Sequence, residues 1–197
     1  MESRSNSVSG TNVDSNTIST GEGDAGAIVS EGGAVEITES AVQGNTMTSE
    51  DGDAATIASE GGALAIVDST VVLNTTIGTE VAAGGAHAHG DTRVSGSLIA
   101  CNSANVSGVE TIAAGGLAIL GESLTLIDST IQGNTASASG SGSTAEQQIF
   151  FEGTISNQNS TITNDTSGCT APTPPPTPIP VSPNFAGNAR EAKRGAS

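Results

Sequence analysis

Short segments of alternating apolar and polar residues recur along the chain. Leu64 and Ile66 are separated by one residue, and so are Leu124 and Leu126. Alternation with a period of two predicts a β-strand with one buried face. The next apolar position, Ile131 after Leu126, lies an odd number of residues away, so one residue between them must turn a corner. The residues at this place are of types that tolerate bends, and they are Glu39, Asp68, Gly96, Asp128 and Asn159.

A serine and an asparagine mark each repeat, in the form Ser-x-[Val/Ile]-x-x-Asn. The serines are Ser40, Ser69, Ser97, Ser129 and Ser160; the asparagines are Asn45, Asn74, Asn102, Asn134 and Asn164, the last one residue closer to its serine. The asparagines lie 29, 28, 32 and 30 residues apart. A period in this range is typical of stacked repeats. Because stacking superimposes equivalent positions, we predict one ladder of asparagine amides and a parallel ladder of serines.

A third apolar position precedes a pair of glycines in four of the repeats. The residues Ile28, Ile57, Val81 and Ile112 lie three or four residues before the pairs at 32–33, 61–62, 84–85 and 115–116. We interpret the four pairs as one tight corner, where glycine allows positive φ or close backbone approach. Three strands and three corners in each repeat predict an all-β fold. We predict a right-handed, single-stranded parallel β-helix of about five coils over residues 28–167.

The flanks of the repeat region have a different composition. Residues 1–27 are predicted to form an irregular region or a degraded capping coil, with residues 13–18 as the remnant of a repeat. Residues 168–197 contain all seven prolines. Such a segment cannot join a sheet, and we predict a polyproline-II linker followed by a disordered tail.

The composition and charge restrict the function. The chain has 26 Gly, no Trp or Tyr and three Phe, which suits a thin cylinder better than a conventional core. Its formal charge of −16 should repel phosphate backbones and anionic membranes, so we expect no nucleic-acid partner. No apolar run is long enough to span a bilayer, and none follows the polar N-terminus as in a signal peptide. The chain is therefore either cytosolic or a fragment of a longer secreted protein.

Two cysteines, Cys101 and Cys169, fit neither a disulfide-rich domain nor a structural zinc site. Cys101 lies in the repeat beside Asn102, and we interpret it as a small core residue. Pairing with Cys169 would require the tail to fold back. Two coil heights amount to about 9–10 Å, which is beyond the normal reach of a disulfide.

The sequence His87-x-His89-x-Asp91 is the one local cluster of metal-ligating residue types. Alternate residues of a strand share a face, so these three side chains could hold a divalent metal. The alternative is that Ala86 and Ala88 face the core while the polar residues face solvent. We prefer the alternative, since no fourth ligand is evident, and we expect no metal site and no cofactor.

Enzymatic and surface-binding β-helices are the other functional classes to weigh. A polysaccharide lyase needs a basic residue, and Arg93 is the only Lys or Arg between Arg4 and Arg190. A hydrolase needs paired carboxylates, but Glu60, Asp68 and Asp128 fall in separate coils. Ice or crystal-surface binding would use a flat threonine-rich face, of which Thr161-Ile162-Thr163 is the only hint. We therefore expect a non-enzymatic protein, with these classes as alternatives.

A family resemblance is carried by three segments of the sequence. They are Gly-Gly-Ala-Val (32–35), Gly-Gly-Ala-Leu (61–64) and Leu-Thr-Leu-Ile-Asp-Ser-Thr-Ile-Gln-Gly-Asn-Thr (124–135). They resemble the repeats of polymorphic outer-membrane-protein adhesins, which carry Gly-Gly-Ala-Ile and Phe-x-x-Asn motifs on a right-handed β-helix. Val or Ile stands here in place of the Phe. The resemblance covers residues 28–165. It implies an extracellular or cell-surface recognition module, similar to an adhesin passenger segment, with a protein or carbohydrate ligand on a lateral face.

Overall fold

The strands pair in parallel with the equivalent strands one turn earlier and one turn later, and those at the two ends of the described helix have one such partner. The computed structural model of the protein describes residues 6–169, which form a right-handed β-helix of about five coils without an α-helix. The predicted fold class is therefore confirmed. Nothing in the described residues has the helical length and apolarity that a membrane span requires.

The coils follow one another with little variation. Coil 1 contains β1 (Asn6–Ser9), β2 (Asn12–Asp14), β3 (Thr17–Thr20) and β4 (Ala25–Ser30). Coil 2 contains β5 (Val35–Thr38), β6 (Ala41–Gln43), β7 (Thr46–Ser49) and β8 (Ala54–Ser59). Coil 3 contains β9 (Leu64–Val67), β10 (Thr70–Val72), β11 (Thr75–Gly78) and β12 (Val81–Ala88). Coil 4 contains β13 (Thr92–Ser95), β14 (Leu98–Ala100), β15 (Ser103–Ser107), β16 (Ile112–Ala114) and β17 (Leu117–Ile119). Coil 5 contains β18 (Leu124–Ile127), β19 (Thr130–Gln132), β20 (Thr135–Ser139), β21 (Thr144–Glu146) and β22 (Ile149–Phe151), and β23 (Ile155–Gln158) and β24 (Thr161–Thr163) begin a further turn.

Equivalent strands form four sheets along the helix axis. Sheet A consists of β1, β5, β9, β13, β18 and β23, and sheet B of β2, β6, β10, β14, β19 and β24. Sheet C consists of β3, β7, β11, β15 and β20, and sheet D of β4, β8, β12, β16, β17, β21 and β22. The main core lies between sheets A, B and D. In coil 3 its buried residues are Leu64, Ile66, Val71, Ala86 and Ala88.

The helix starts further toward the N-terminus than residue 28. Residues 1–27 were predicted to form either an irregular region or a degraded capping coil. The structure has a coil from Asn6 onward, in which Val13 pairs in register with Val42. Val8, Val13, Ile18 and Ile28 of this coil are only partly buried, because no earlier coil among the described residues covers them. The predicted Pro-rich linker and disordered tail lie outside the described residues from residue 170 onward.

Two single-residue corners recur in every coil. The first residue after each strand of sheet A has positive φ, and these residues are Gly10, Glu39, Asp68, Gly96, Asp128 and Asn159. This set contains all five corner residues predicted from the change in parity. In coils 1 to 5 the first residue after the strand of sheet B also has positive φ, and these residues are Ser15, Gly44, Leu73, Cys101 and Gly133. Asparagine follows the second corner, where its side chain turns inward.

The asparagines are linked into a ladder through the helix. Asn45 Nδ2 donates to Asn74 Oδ1 at 3.0 Å, Asn74 Nδ2 donates to Asn102 Oδ1 at 2.9 Å, and Asn102 Nδ2 donates to Asn134 Oδ1 at 3.0 Å. The backbone N–H of each of these donors bonds to the same oxygen. Asn16, which was not predicted, adds a rung at the N-terminal end. All four central asparagines are buried, so the ladder satisfies amides that water cannot reach.

The last predicted rung, Asn164, does not stack on Asn134. Thr163 pairs with Gln132, which places Asn164 level with Gly133 rather than with Asn134. The missing residue in the last repeat is the cause. Gln148 fills the gap, since it accepts from Asn134 Nδ2 at 2.7 Å and donates to Asn164 Oδ1 at 3.0 Å.

The serines form a second ladder at the other corner. The backbone N–H groups of Ser40, Ser69, Ser97 and Ser129 donate to the hydroxyl of the next serine, ending at Ser160. Each hydroxyl also donates to the carbonyl two residues earlier in its own chain, as Ser69 does to Val67 at 2.7 Å. Every corner between sheets A and B is thereby tied to its neighbours.

The four Gly-Gly pairs belong to two different corners, which corrects the prediction that they are equivalent. The second glycine of the pairs at 32–33 and 61–62 stacks with Gly90 and Gly121 at the corner before sheet A. The pairs at 84–85 and 115–116 stack on each other inside sheet D. The distance to the repeat serine differs accordingly: the second glycine precedes it by 7 residues in the first two repeats but by 12 and 13 in the next two.

Cys101 and Cys169 form a disulfide, with their Cα atoms 5.3 Å apart. The prediction that Cys101 is an unpaired core residue is therefore wrong. After Asn164 the chain folds back over Gly133, the residue of the next coil that is equivalent to Cys101. Because Gly133 has no side chain, Cys169 Sγ can lie 2.6 Å from the position that a Cβ on residue 133 would occupy. Cys169 thus reaches Cys101 from one coil away, not two.

Replacement of Asn102 by Leu should destabilise the helix. The change removes the acceptor of the Asn74 backbone N–H and of one Nδ2 hydrogen of Asn74, and it removes the side-chain donor to the carbonyl of Val71, all inside the core. One unpaired buried group costs about 1–3 kcal/mol, so we expect at least this loss in the free energy of unfolding, measured by chemical denaturation. The matched control is Asn105→Leu, on an exposed position of the same coil, with a change within about 0.5 kcal/mol. Equal losses in the two variants would contradict the ladder.

Gly133→Ala should destabilise the protein more than Gly44→Ala. The two glycines occupy equivalent corners with φ of 60° and 63°, so both variants carry the roughly 1–2 kcal/mol cost of a left-handed backbone. A Cβ on Gly44 has its nearest neighbour at 3.4 Å, whereas one on Gly133 meets Cys169 Sγ at 2.6 Å. Thermal melts of both variants, with and without reductant, measure the difference. It should shrink when the disulfide is reduced, and equal melting temperatures in the oxidised proteins would refute the packing of Cys169 on Gly133.

Candidate functional site

Sheet D bends in the middle of each coil, and the bend divides it into two arms. In β12 the pairing register shifts between Ala83 and Ala86, at the Gly84-Gly85 pair. We call residues 81–83 and their equivalents the outer arm, and residues 86–88 and their equivalents the inner arm. In coil 3 glycine is required at this bend because a Cβ on Gly84 or Gly85 would collide with the carbonyl oxygens of Gly115 and Gly116 in the next coil.

The bend creates a concave groove on the outside of the helix. Ala82 faces a small interior lobe shared with sheet C, and Ala86 and Ala88 face the main core. The residues that alternate with them, Ala83 and His87, therefore point outward into the angle between the arms. Five alanines from both arms pack there into a buried cluster, and they are Ala55, Ala58, Ala83, Ala114 and Ala118.

His87 is the polar residue at the bottom of this groove. Its neighbours in the adjacent coils are Ala58 and Ala118, whose small side chains leave room for the imidazole. The side chain is 0% exposed, and neither of its ring nitrogens has a hydrogen-bond partner. A buried imidazole without a partner is rare in folded proteins and needs an explanation.

Three further ionisable side chains surround His87. His89 follows the inner arm of coil 3, Glu60 follows the inner arm of coil 2, and Asp53 precedes the outer arm of coil 2. His87 Nδ1 lies 3.4 Å from Glu60 Oε1 and 3.6 Å from Asp53 Oδ2, and His89 Nε2 lies 3.3 Å from Glu60 Oε2. One ligand atom from each of the four residues lies within 4.8 Å of the others. We call these four residues the His87 cluster.

The His87 cluster differs from the candidate suggested by the sequence. His87 and His89 do come together, but Asp91 does not join them, because the chain has passed the corner at Gly90 and Asp91 accepts a hydrogen bond from Ser123 at 2.7 Å. The structure supplies Asp53 and Glu60 instead. Glu60 lies 29 residues before His89, one repeat period, so the spacing alone could have indicated it. No such signal points to Asp53, which approaches only because sheet D bends.

The two carboxylates of the cluster have opposite electrostatic environments. Burial raises the pKa of Asp53, despite the opposing effects of His87 and of the Val81 N–H that donates to Oδ1 at 2.9 Å. The pKa of Glu60 is lowered, first by the imidazole of His87 and further by His89, against the effect of burial. The contact of Glu60 with His87 is electrostatic rather than a formed hydrogen bond, because 3.4 Å exceeds the usual N–H···O range.

A shallow cavity lies further along the outer arm. Its volume is about 330 Å³, and it is lined by Thr79, Glu80, Val81, Val109, Glu110, Thr111 and Ile112. None of these side chains carries a buried polar atom without a partner. In this respect the cavity differs from the His87 cluster, which has buried polar atoms without hydrogen-bond partners.

Sheet C presents the most regular exposed surface. Equivalent side chains of successive coils stack into a row along the helix axis, which we call a file. One file of outward side chains of sheet C consists of Thr17, Thr46, Thr75, Ser103 and Thr135. The next file consists of Ser19, Thr48, Ile77, Asn105 and Ser137. We call these ten uncharged residues face C. Its first file follows the asparagine ladder directly, so a recurrent Asn-Thr or Asn-Ser dipeptide marks it in the sequence. Thr161 and Thr163 lie on sheet B, away from this surface.

Comparisons of the chain with protein-family models, with curated proteins and with solved structures found no match. The assignment of a function therefore depends on the surfaces and side chains of the molecule itself.

Proposed function

We propose that the protein is a non-enzymatic recognition module of the cell surface or extracellular space, adhesin-like in role, and that it binds its ligand through face C. The observation that carries the proposal is the hydroxyl file of face C, which repeats in all five coils of a chain with a formal charge of −16. Outward residues of sheet B do not repeat in this way, since Ala41, Thr70 and Leu98 are equivalent there. A regular surface of this kind is what solenoids use for binding.

The chemistry of face C favours a neutral, hydroxyl-rich ligand such as an uncharged glycan. Hydroxyl and amide groups can donate to and accept from sugar hydroxyls. Neighbouring residues in a file are about 4.8 Å apart, and the files are about 6.7 Å apart, so the groups form a regular grid. Face C has no Trp, Tyr or Arg, the residues that dominate protein–protein hot spots. A protein ligand is the less favoured outcome.

The His87 cluster does not provide a convincing hydrolase site. Asp53 and Glu60 form a carboxylate pair whose pKa values are shifted apart, as in glycosidases. However, His87 Nδ1 lies against both carboxylates and occupies the space where a glycosidic oxygen would have to sit. Lyase chemistry is not supported either, since Arg93 is the only Lys or Arg in residues 6–169. These observations support a binding function over an enzymatic one.

The disulfide supports an extracellular location. Disulfides persist in oxidising compartments and are rare in the cytosol of most organisms. The Cys101–Cys169 bond closes the end of the described helix onto coil 4. The resemblance of the repeats to polymorphic outer-membrane-protein adhesins points to the same location and role.

Negative charge placed on face C should weaken ligand binding. We expect the double variant Thr75→Glu/Thr135→Glu to bind neutral glycans on an array at least tenfold more weakly than the wild type, because the carboxylates disrupt the hydroxyl grid. The control is Thr70→Glu/Thr130→Glu, which adds the same charge to sheet B in the same two coils. Equal losses in both variants, or binding of sulfated or uronate glycans only, would contradict the proposal.

Binding of ordered water at an ice or crystal surface is a second candidate, favoured by the same hydroxyl file. Thermal hysteresis and inhibition of ice recrystallisation distinguish it from glycan binding. Activity in those assays that disappears in Thr75→Glu/Thr135→Glu would assign face C to ice, and its absence together with glycan binding would assign it to carbohydrate.

Reduction of the disulfide should destabilise the protein. The bond joins residues 68 positions apart, and native disulfides typically contribute about 2–4 kcal/mol. We expect a lower melting temperature in reductant, and no further effect of reductant on the variant Cys101→Ser/Cys169→Ser. Protein from its native source should resist thiol alkylation until it is reduced. Free thiols in that material would argue against an extracellular location.

A further inference from the structure

We propose that Asp53, Glu60, His87 and His89 bind one zinc ion, which joins coil 2 to coil 3 across the groove. The inference is independent of the ligand bound by face C. It depends on the positions of four donor atoms, on the burial of His87 and on the chemistry of the ligand set.

Two distances from His87 Nδ1 lie close to the edge length of a zinc coordination tetrahedron. Zinc–nitrogen and zinc–oxygen bonds of about 2.0–2.1 Å give an edge of about 3.3–3.4 Å. His87 Nδ1 lies 3.4 Å from Glu60 Oε1 and 3.6 Å from Asp53 Oδ2, while His89 Nε2 lies 3.3 Å from the other oxygen of Glu60, Oε2. One ligand atom from each of the four residues lies within 4.8 Å of the others, and the side chain of His89 is 45% exposed, which leaves it room to adjust.

The same contacts are poor hydrogen bonds, and this leaves buried polar atoms without partners. Both ring nitrogens of His87 and Glu60 Oε1 are buried and unpaired. Leaving such groups unsatisfied costs roughly 1–3 kcal/mol each. A cation between His87 Nδ1, Glu60 Oε1 and Asp53 Oδ2 would satisfy two of these atoms directly, which an ion pair at these distances does not.

The ligand set selects the metal. Two imidazoles and two carboxylates suit zinc, which accepts mixed nitrogen and oxygen ligands in a tetrahedron. Calcium and magnesium require mostly oxygen ligands in larger coordination shells. The two carboxylates also balance the charge of a divalent ion bound at a site that is largely shielded from water.

The surroundings of the cluster already orient its ligands. Asp53 Oδ1 accepts from the backbone N–H of Val81, which leaves Oδ2 free to face the imidazole. The backbone N–H of Asp53 is in turn held by Asp24 Oδ1 at 3.2 Å. Partners of this kind fix the direction of metal ligands. With four protein ligands and no open position, the bound ion would have a structural role and would lock the angle between the two arms of sheet D.

The test measures zinc binding by the untagged chain under non-reducing conditions, after removal of metal with a chelator. We expect isothermal titration with zinc to give one site per chain, zinc to raise the melting temperature, and calcium to leave it unchanged. Cobalt in place of zinc should give the intense visible absorption of a tetrahedral site. In Glu60→Gln and His89→Gln the zinc affinity should fall at least tenfold, since even loss of an outer-shell partner costs 10–100-fold.

The control is Asp91→Asn, which alters the neighbouring carboxylate that lies outside the cluster. Its zinc affinity should stay within about twofold of the wild type, since its partner is Ser123. Circular dichroism checks that each variant keeps its β-structure, and His89 is exposed enough for its variant to fold. The proposal is overturned if zinc leaves the melting temperature of the wild type unchanged, if calcium stabilises it equally, or if Asp91→Asn loses as much affinity as Glu60→Gln.

Discussion

In-register hydrogen bonding between successive coils is the constraint on which the rest of this structure depends. Each backbone segment bonds to the same segment one turn away, as in the file Val42, Val71, Ile99 and Ile131. A slip of one residue would turn every buried side chain of a strand outward, so the register is fixed by burial as well as by hydrogen bonds. Each side chain therefore lies against its equivalents in the preceding and following coils. Buried polar residues therefore form hydrogen bonds with their equivalents in neighbouring coils, as the asparagine and serine ladders do.

The same constraint allows backbone conformations that an isolated chain would avoid. Leu73 and Cys101 have φ of 58°, at a corner where Gly44 and Gly133 stand in other coils. Left-handed conformations are costly for residues with a Cβ, and they persist where the surrounding structure over-determines them. Uniform corners have a further consequence. Where glycine replaces a larger residue it leaves a space, and at Gly133 the returning chain uses that space to bring Cys169 to Cys101.

The two candidate sites of this protein lie where one set of stacked residues differs from its neighbours and where another repeats without change. Face C is the regular case, in which the same hydroxyl group recurs from coil 1 to coil 5 and builds an extended, uncharged surface. The His87 cluster is the irregular case, in which an imidazole replaces alanine in a file of small residues at the bottom of the groove. The two features lie on different sheets and place different demands on a ligand. One offers many equivalent weak contacts, and the other offers four convergent ligand atoms in a small volume.

The repeat, the strands of sheets A, B and D and most of the corners could be predicted from the sequence, whereas the strand of sheet C was not among the three predicted for each coil. Alternation of apolar residues located sheets A and B, the change of parity located Asp68 and its equivalents, and the Ser and Asn spacing located both ladders. These features are local or strictly periodic, so they can be recognised without coordinates. The predictions for Asn164 and for the Gly-Gly pairs were wrong. A short motif reveals neither a shift of one residue in the pairing nor the corner to which a glycine pair belongs.

The contacts made across a bend or a fold-back of the chain could not be predicted and are known only from the folded structure. The periodicity relates Glu60 to His89, but the contact of Asp53 with His87 exists because sheet D bends and brings its arms together. The burial of His87 follows from the same bend, since an outward residue on a flat strand would face water. The disulfide likewise depends on the path of the chain after Asn164. These contacts depend on angles between elements, which the order of residues does not encode in any short pattern.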